Sequence, residues 1–232
     1  MFRHKKHLFF DLDHTLWDFE LNASECLAEL FETFNMATWG ITFPQFFQAF
    51  SSVNQSLWFQ LEQQQITHEH LRTIRFKASL ATLDVTISEE QSEQINDRFL
   101  ELLPYKKGLM ANCLEVLENL RGKYQMHILS NGFQEVQMKK MHHSGLTPFF
   151  DKIITNELAG ARKPDRRIFD FALQNTQSEI TEVLMIGDSF EADIKGALNA
   201  GWDAIHFHES KADLRHDRYF HVADLHQILT YL

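Results

Sequence analysis

An α/β architecture is what this sequence predicts: a doubly wound, mainly parallel sheet with an all-helical domain inserted into it. Three patterns carry the prediction. From about Gly108 onward, short apolar runs alternate with amphipathic stretches of helical length. Between Asp18 and Leu103 strand signals are scarce and helical spacing dominates. A lone apolar run, Leu8-Phe9-Phe10, stands ahead of that block, so the block splits the first strand–helix unit. Strands alternating with helices form a parallel sheet covered on both faces. The expected division is a core of residues 1–17 and 104–232 with a helical domain of residues 18–103.

The elements follow in order. The first strand runs to Phe10 and ends at Asp11. Glu20–Phe34 carries Leu27, Leu30, Phe31 and Phe34 at helical spacing. Phe43–Leu61 is rich in aromatic residues, and Pro44 falls in a first helical turn, which tolerates proline. Thr67–Leu80 and Ser88–Leu103 predict two more helices, with Ser88-Glu89-Glu90-Gln91 resembling a capping box. In the alternating part, helices are expected at Leu109–Leu120, Glu135–His143, Asp165–Leu173, Glu191–Ala200 and Leu225–Tyr231. Gly145 and Gly201 would close the second and the fourth of these. Strands are expected at Met126–Ser130, Lys152–Ile154, Val183–Ile186 and Ala204–Phe207. A helical domain grown from the first loop would lie over the carboxyl edge of the sheet, above Asp11.

Composition excludes some function classes. Lys and Arg number 22 against 32 Asp and Glu, a net charge of −10. That sign argues against nonspecific binding to nucleic acid or to an anionic membrane. It leaves room for a small anionic substrate, because a local metal or lysine can invert the field within a cleft. Cys26 and Cys113 match no zinc or redox spacing and read as buried, reduced thiols of a cytoplasmic protein. Arg3, Lys5 and Lys6 precede an apolar stretch too short for a signal peptide, and no stretch approaches a membrane span.

Chemistry gathers at the strand ends. Asp11 and Asp13 are carboxylates one residue apart, and they repel unless a cation or a proton intervenes. Mg2+, a hard ion that prefers oxygen, suits such a pair; an acidic surface turn is the plain alternative. Ser130-Asn131-Gly132 ends the second strand with a hydroxyl and a turn whose N–H groups suit an anion, or simply caps a helix. Lys163, before Pro164 and Asp165 at a helix start, is either a solvated charge or a compact phosphoryl-binding cation. Gly187-Asp188-Ser189 follows another apolar run, with Asp193 in the next helix; each could be an ordinary helix-start residue. Together the four clusters suit phosphoryl transfer through an aspartyl-phosphate.

Asp11-x-Asp13-x-Thr15, Ser130, Lys163-Pro164 and Gly187-Asp188-Ser189-x-x-x-Asp193, in this order, resemble the motifs of the haloacid dehalogenase superfamily. The block behind the first motif resembles that family's C1 helical cap. A closer resemblance is to the YjjG-type pyrimidine 5′-nucleotidases. It rests on Asp13-His14-Thr15-Leu16-Trp17, Asn54-Gln55-Ser56-Leu57-Trp58, Gln65-Ile66-Thr67, Ser130-Asn131-Gly132-Phe133 and Lys163-Pro164-Asp165-Arg166-Arg167-Ile168-Phe169. The chain departs from the usual pattern at His14, a position where a small or acidic residue is common, and at Lys107-Gly108, where many relatives have Pro-Gly.

The resemblance implies a role for each residue. Asp11 would be the nucleophile, and Asp13 the general acid and then the base, with a pKa raised by its surroundings. Thr15 would orient Asp13 by a hydrogen bond. Mg2+ would be held by Asp11, the Asp13 carbonyl and Asp188, with Asp193 in support. Ser130, the Asn131 N–H and Lys163 would hold phosphoryl oxygens. Asp13 favours phosphate over halide chemistry, since a halide leaving group needs no acid. Lys77, the one lysine between Trp17 and Leu103, carries no mark of the Schiff-base lysine that a phosphonate hydrolase would need. Trp17, Trp58 and Phe133 are candidates to stack on a nucleobase, or simply fill a Phe-rich core. His68-x-His70, His142-His143 and His206-x-His208 lack a convincing metal-ligand spacing.

The expected function is therefore a Mg2+-dependent phosphomonoesterase acting on a nucleoside monophosphate, as a monomer or dimer. A sugar-phosphate phosphatase or phosphomutase on the same core remains open, as does a phospho-accepting signalling domain.

Overall fold

The computed structural model describes residues 2–208 and 217–232. Two compact units emerge, one of Met1–Phe19 with Lys107–Leu232 and one of Glu20–Lys106.

The first unit is built on a parallel sheet of six strands: β1 (His7–Phe10), β2 (Gln125–Ser130), β3 (Lys152–Thr155), β4 (Val183–Gly187), β5 (Asp203–Phe207) and β6 (Tyr219–Val222). Their spatial order is β3-β2-β1-β4-β5-β6, and every neighbouring pair is parallel. Leu8, Phe9 and Phe10 of β1 are fully buried, as a central strand covered on both faces requires. Phe9 packs against Trp202, which in turn meets Phe169, in a core shared with Ile154, Ile168, Met185 and Ile194. The strand order reverses between β1 and β4, and the crevice beyond the carboxyl ends at such a reversal is where an open α/β sheet binds ligands.

The second unit is helical. Most of α1 (Phe19–Thr33) lies in it, with α2 (Phe43–Glu62), α3 (His68–Ala81) and α4 (Glu89–Leu102). Thr67 caps α3 through the His70 N–H. Ser88 and Gln91 cap α4 reciprocally, as the sequence pattern predicts. The abundant phenylalanines make its core: Phe50, Phe76 and Phe99 lie with ring centroids 5.3–5.7 Å apart. They surround the buried Arg75 guanidinium, which reaches the Asn54 and Asn96 side-chain oxygens. Lys77 pairs with Glu89 at 3.0 Å on an exposed face.

The first unit also carries α5 (Cys113–Leu120), α6 (Gln134–His143), α7 (Asn156–Ala159), α8 (Arg166–Thr176), α9 (Gly196–Asn199) and α10 (Ile228–Tyr231). Several expectations need correction. The helix expected over Leu109–Leu120 starts only at Cys113, because Leu109 bridges Trp17 and Met110 N–H donates to the Leu16 carbonyl. Asn112, with φ +63°, then turns the chain into α5. The helix expected over Glu191–Ala200 is a wide π turn, Phe190–Lys195, continued by α9. The last helix opens as a 3-10 turn, Leu225–Gln227. The short α7 and the edge strand β6 are not anticipated by periodicity, being only four residues each. Cys26 and Cys113 are free and buried, and burial pushes both thiols up to about 12. Among the described residues no helix is long and apolar enough to cross a membrane.

Candidate active site

The site begins where β1 runs out. After Asp11 the chain coils tightly, with the Leu16 and Trp17 N–H groups both donating to the Leu12 carbonyl at 3.0 and 2.9 Å. His14 takes φ +59° in this turn, a left-handed conformation that histidine tolerates better than most residues. Its ring lies 4.9 Å from that of Phe19. The departure from the family pattern at His14 therefore packs sideways and leaves both aspartates in place.

Lys163 gathers the carboxylates. Its ammonium donates to Asp11 Oδ1 at 2.6 Å, Asp193 Oδ1 at 2.6 Å and the Leu129 carbonyl at 2.7 Å. An ammonium has three protons, so its donors are fully used. Lys163 is 1% exposed, which excludes the solvated-charge alternative. Burial alone would lower its pKa, but Asp11 and Asp193 outweigh that and hold it protonated. Asp193 is equally buried and accepts from the Ser189 N–H with its second oxygen, at 3.0 Å. The π turn brings that carboxylate back over Gly187, where any Cβ would overlap it. This close approach, rather than conformational freedom, is why glycine precedes Asp188.

Asp11, Asp188 and Asp193 offer carboxylate oxygens that all lie within 4.8 Å of one another. Burial, opposed by Lys163, pushes Asp11 up to about 7. Burial, with the charges of Asp11 and Asp193, raises Asp188 well above the usual carboxylate range. Three carboxylates against a single ammonium leave a deficit of positive charge in a space lined by hard oxygen donors. That donor set fits a divalent cation such as Mg2+.

The loop after β2 supplies the next wall. Ser130 Oγ accepts from the Gly132 N–H at 3.1 Å and from Gln137 Nε2 at 2.7 Å. With both lone pairs occupied, its own O–H remains to donate. Asn131 spends its side chain on the backbone of Lys163, accepting from its N–H at 2.8 Å and donating to its carbonyl at 2.9 Å. This pairing ties the β2 loop to the lysine loop. An added Cβ at Gly132 would meet Gln137 at 2.5 Å, so this glycine too makes room for a side chain.

Asp13 stands apart from the Lys163 cluster. Its Oδ1 accepts from Lys140 at 2.5 Å and its Oδ2 from Gln137 at 2.8 Å. Burial would raise its pKa, but the Lys140 charge and these hydrogen bonds outweigh it, and the net direction is downward. The raised pKa expected for Asp13 is thus corrected. So is the expected partner of Thr15, whose hydroxyl donates to Asp188 Oδ1 at 3.2 Å and not to Asp13.

The aromatic candidates separate. Trp17 is fully buried, with the Lys140 ammonium 4.4 Å from its ring centroid, so that ring cannot take a base and is withdrawn as a stacking residue. Phe133, at the start of α6, is half-buried near Ser130. Trp58, in the helical unit, is half-buried against the Leu57, Leu61 and Leu71 cluster and meets His68 edge-on.

Gln137, Lys140 and His206 escape sequence reasoning. His206, beside Gly187 in the sheet, approaches the Asp188 carbonyl with Nε2 at 2.9 Å, and burial lowers its pKa and keeps it neutral. Gln137 and Lys140 lie one helical turn apart on α6, and that spacing was their available signal.

A family model described as haloacid dehalogenase-like hydrolase matches residues 5–201. Pyrimidine 5′-nucleotidase YjjG of Escherichia coli is 30% identical over 196 residues, 84% of this chain and 82% of that protein. Pyrimidine 5′-nucleotidase PynA of Streptococcus pneumoniae is 29% identical over 86% of this chain and 82% of its own. Among solved structures, the putative HAD-hydrolase YfnB of Bacillus subtilis, bound to magnesium, superposes with a TM-score of 0.86 at 28% identity, covering 98% of each chain.

Proposed function

Because the chain belongs to the haloacid dehalogenase-like hydrolases, we propose that it is a phosphomonoesterase forming an aspartyl-phosphate on Asp11, with pyrimidine nucleoside 5′-monophosphates as substrates. The observation that carries this is the unequal setting of the two aspartates. Lys163 binds Asp11 through Oδ1, and among the described residues Oδ2 has no such partner. Asp13, whose acid role a halide leaving group would not need, is held separately by α6.

In the proposed reaction Asp11 Oδ2 attacks phosphorus as the ester oxygen departs. Asp13 delivers a proton to that oxygen, then takes one from the water that attacks the acyl phosphate. Inorganic phosphate leaves and the Asp11 carboxylate is restored. A phosphate dianion beside Asp13 raises its affinity for a proton, opposing Lys140. The Ser130 hydroxyl and the Asn131 N–H take the phosphoryl oxygens, and Lys163, whose three protons are held by Asp11, Asp193 and the Leu129 carbonyl, supplies positive charge beside them. Asp11, Asp188 and the Asp13 carbonyl would hold Mg2+, with Asp193 in support through Lys163. Bound there, the ion offsets the repulsion between two anions and polarises the phosphoryl group. Thr15 contributes by fixing Asp188.

YjjG and PynA support the pyrimidine nucleotide as substrate, and the magnesium in YfnB supports the metal. The helical unit is assigned as a cap selecting the leaving group, with Trp58 and Phe133 as the remaining base-stacking candidates. A cytoplasmic location is consistent with two free thiols.

The test is phosphate release from pyrimidine and purine monophosphates and from sugar phosphates, with Mg2+ and then with excess EDTA. Metal-dependent release from pyrimidine monophosphates that vanishes in Asp11→Asn is expected. Sugar phosphates turned over while nucleotides stay intact would overturn the substrate assignment. A long-lived phosphorylated Asp11 without release would point to signalling instead.

A further inference from the structure

We propose that Gln137 and Lys140 form a two-point clamp that positions Asp13 for proton transfer, with Trp17 seating the lysine. This rests on the assignment of Asp13 as the proton-transfer group.

The clamp is a matter of geometry. A carboxylate carries two oxygens, and α6 holds one with each residue: Lys140 Nζ on Oδ1 at 2.5 Å and Gln137 Nε2 on Oδ2 at 2.8 Å. Two contacts from opposite oxygens stop the carboxylate from turning about its Cβ–Cγ bond, which one contact would not. Three residues apart on a helix, the two side chains leave the same face of α6. The same Gln137 nitrogen also donates to Ser130 Oγ at 2.7 Å, so one amide sets the Asp13 carboxylate against the Ser130 hydroxyl. Gln137 is fully buried, and among the described residues its Oε1 has no partner. A buried, half-satisfied amide costs stability, so this placement is not explained by stability alone.

Lys140 is equally telling. It is 3% exposed and lies 4.4 Å from the Trp17 ring centroid and 5.8 Å from that of Phe19. Among the described residues, Asp13 supplies the one carboxylate that its ammonium pairs with. Lys139, its neighbour, pairs with Glu135 on the exposed side. The site therefore has two buried lysines with separate duties, Lys163 on Asp11 and Asp193 and Lys140 on Asp13. Gly132 belongs to the device, because a Cβ there would displace Gln137.

A positioning role predicts a loss that depends on how much the leaving group needs a proton. The ratio kcat/KM covers the steps through leaving-group departure, so it is compared for two esters. A nucleoside 5′-monophosphate expels an alkoxide and needs the acid; p-nitrophenyl phosphate expels a stable phenolate and does not. Lys140→Met and Gln137→Leu should each lower kcat/KM about 100-fold on the nucleotide. On p-nitrophenyl phosphate the loss in Lys140→Met should stay within about threefold, and Gln137→Leu, which also releases Ser130 Oγ, should lose about tenfold less on this ester than on the nucleotide. Asp13→Asn serves as the reference and should show the same selective loss, at about 100-fold or more.

Equal losses on both esters in the two α6 variants, with selectivity intact in Asp13→Asn, would overturn the clamp and leave Asp13 as the acid. Equal losses in Asp13→Asn as well would overturn the assignment of Asp13 itself, and the clamp with it. If Lys140→Met fails to fold, Gln137→Leu, which removes no charge, decides the matter by the same ratio.

Discussion

Replacing Lys163 by methionine is the most demanding test of the charge arrangement. The substitution keeps an unbranched chain as far as Cε and removes an ammonium whose protons go to Asp11, Asp193 and the Leu129 carbonyl. At 2.6 Å and an effective dielectric constant of about 20, each ion pair is worth roughly 6 kcal/mol before desolvation. Desolvation of the three ions cancels much of this, and breaking one buried pair typically costs about 3–5 kcal/mol. Two carboxylates lose their counterion here, so the upper end, about 5 kcal/mol at pH 8, is expected. Urea denaturation followed by tryptophan fluorescence, to which the buried Trp17 and Trp202 contribute, measures it.

The pH dependence has a definite sign. Asp11 and Asp188 are already raised, so the folded state binds protons that the unfolded state releases. Without Lys163 their pKa values rise further, and protonation relieves the variant more than the parent. The stability gap should therefore narrow from pH 8 to pH 5. A gap within about 0.5 kcal/mol at pH 8, the range of an ordinary surface substitution, would refute Lys163 as the internal counterion. A gap that widens on acidification would refute the electrostatic account.

Two further outcomes can be measured directly. Gly187→Ala would place a Cβ 2.7 Å from that of Asp193, so about 1–3 kcal/mol of stability and most phosphate release should be lost; a fully active variant would contradict the packing. His127, buried against His7 at 3.1 Å, is held by burial at about 4, below its usual 6.5. Stability from this neutral histidine is complete above about pH 6.5 and is lost as pH falls toward 4, by roughly 3 kcal/mol at 1.36 kcal/mol per unit. Denaturation across that window should show the decline, and His127→Phe should flatten it.

Much of the chain was legible because its signals are local. An apolar run closed by an aspartate needs no distant partner to read as a strand end, and Ser88 with Gln91 spells a cap within a few residues. The strand ends could also be pooled, since a parallel sheet brings all its carboxyl ends to one edge. Asp11, Asp188, Asp193 and Lys163 were found in this way. Positions decided by distant neighbours were not legible. Lys139 and Lys140 are adjacent and chemically identical, yet one pairs with Glu135 at the surface and the other is buried on Asp13. Trp17 reads as an aromatic beside a motif, and only the arrival of Lys140 over its face removes it from the base-stacking candidates.

By itself the sequence determined the fold class, the helical insertion and the kinds of groups at the sheet edge. These follow from periodicity and from residue type, both properties of short stretches of chain. Tertiary structure decided how the groups are divided. It gave Asp11 and Asp13 different lysines, turned Thr15 toward Asp188, and used Gly132 and Gly187 to admit side chains rather than to bend the backbone. The physical reason is that a charge takes its character from what lies within a few ångströms in space. For Asp13 that neighbour is carried by a helix from a remote part of the chain.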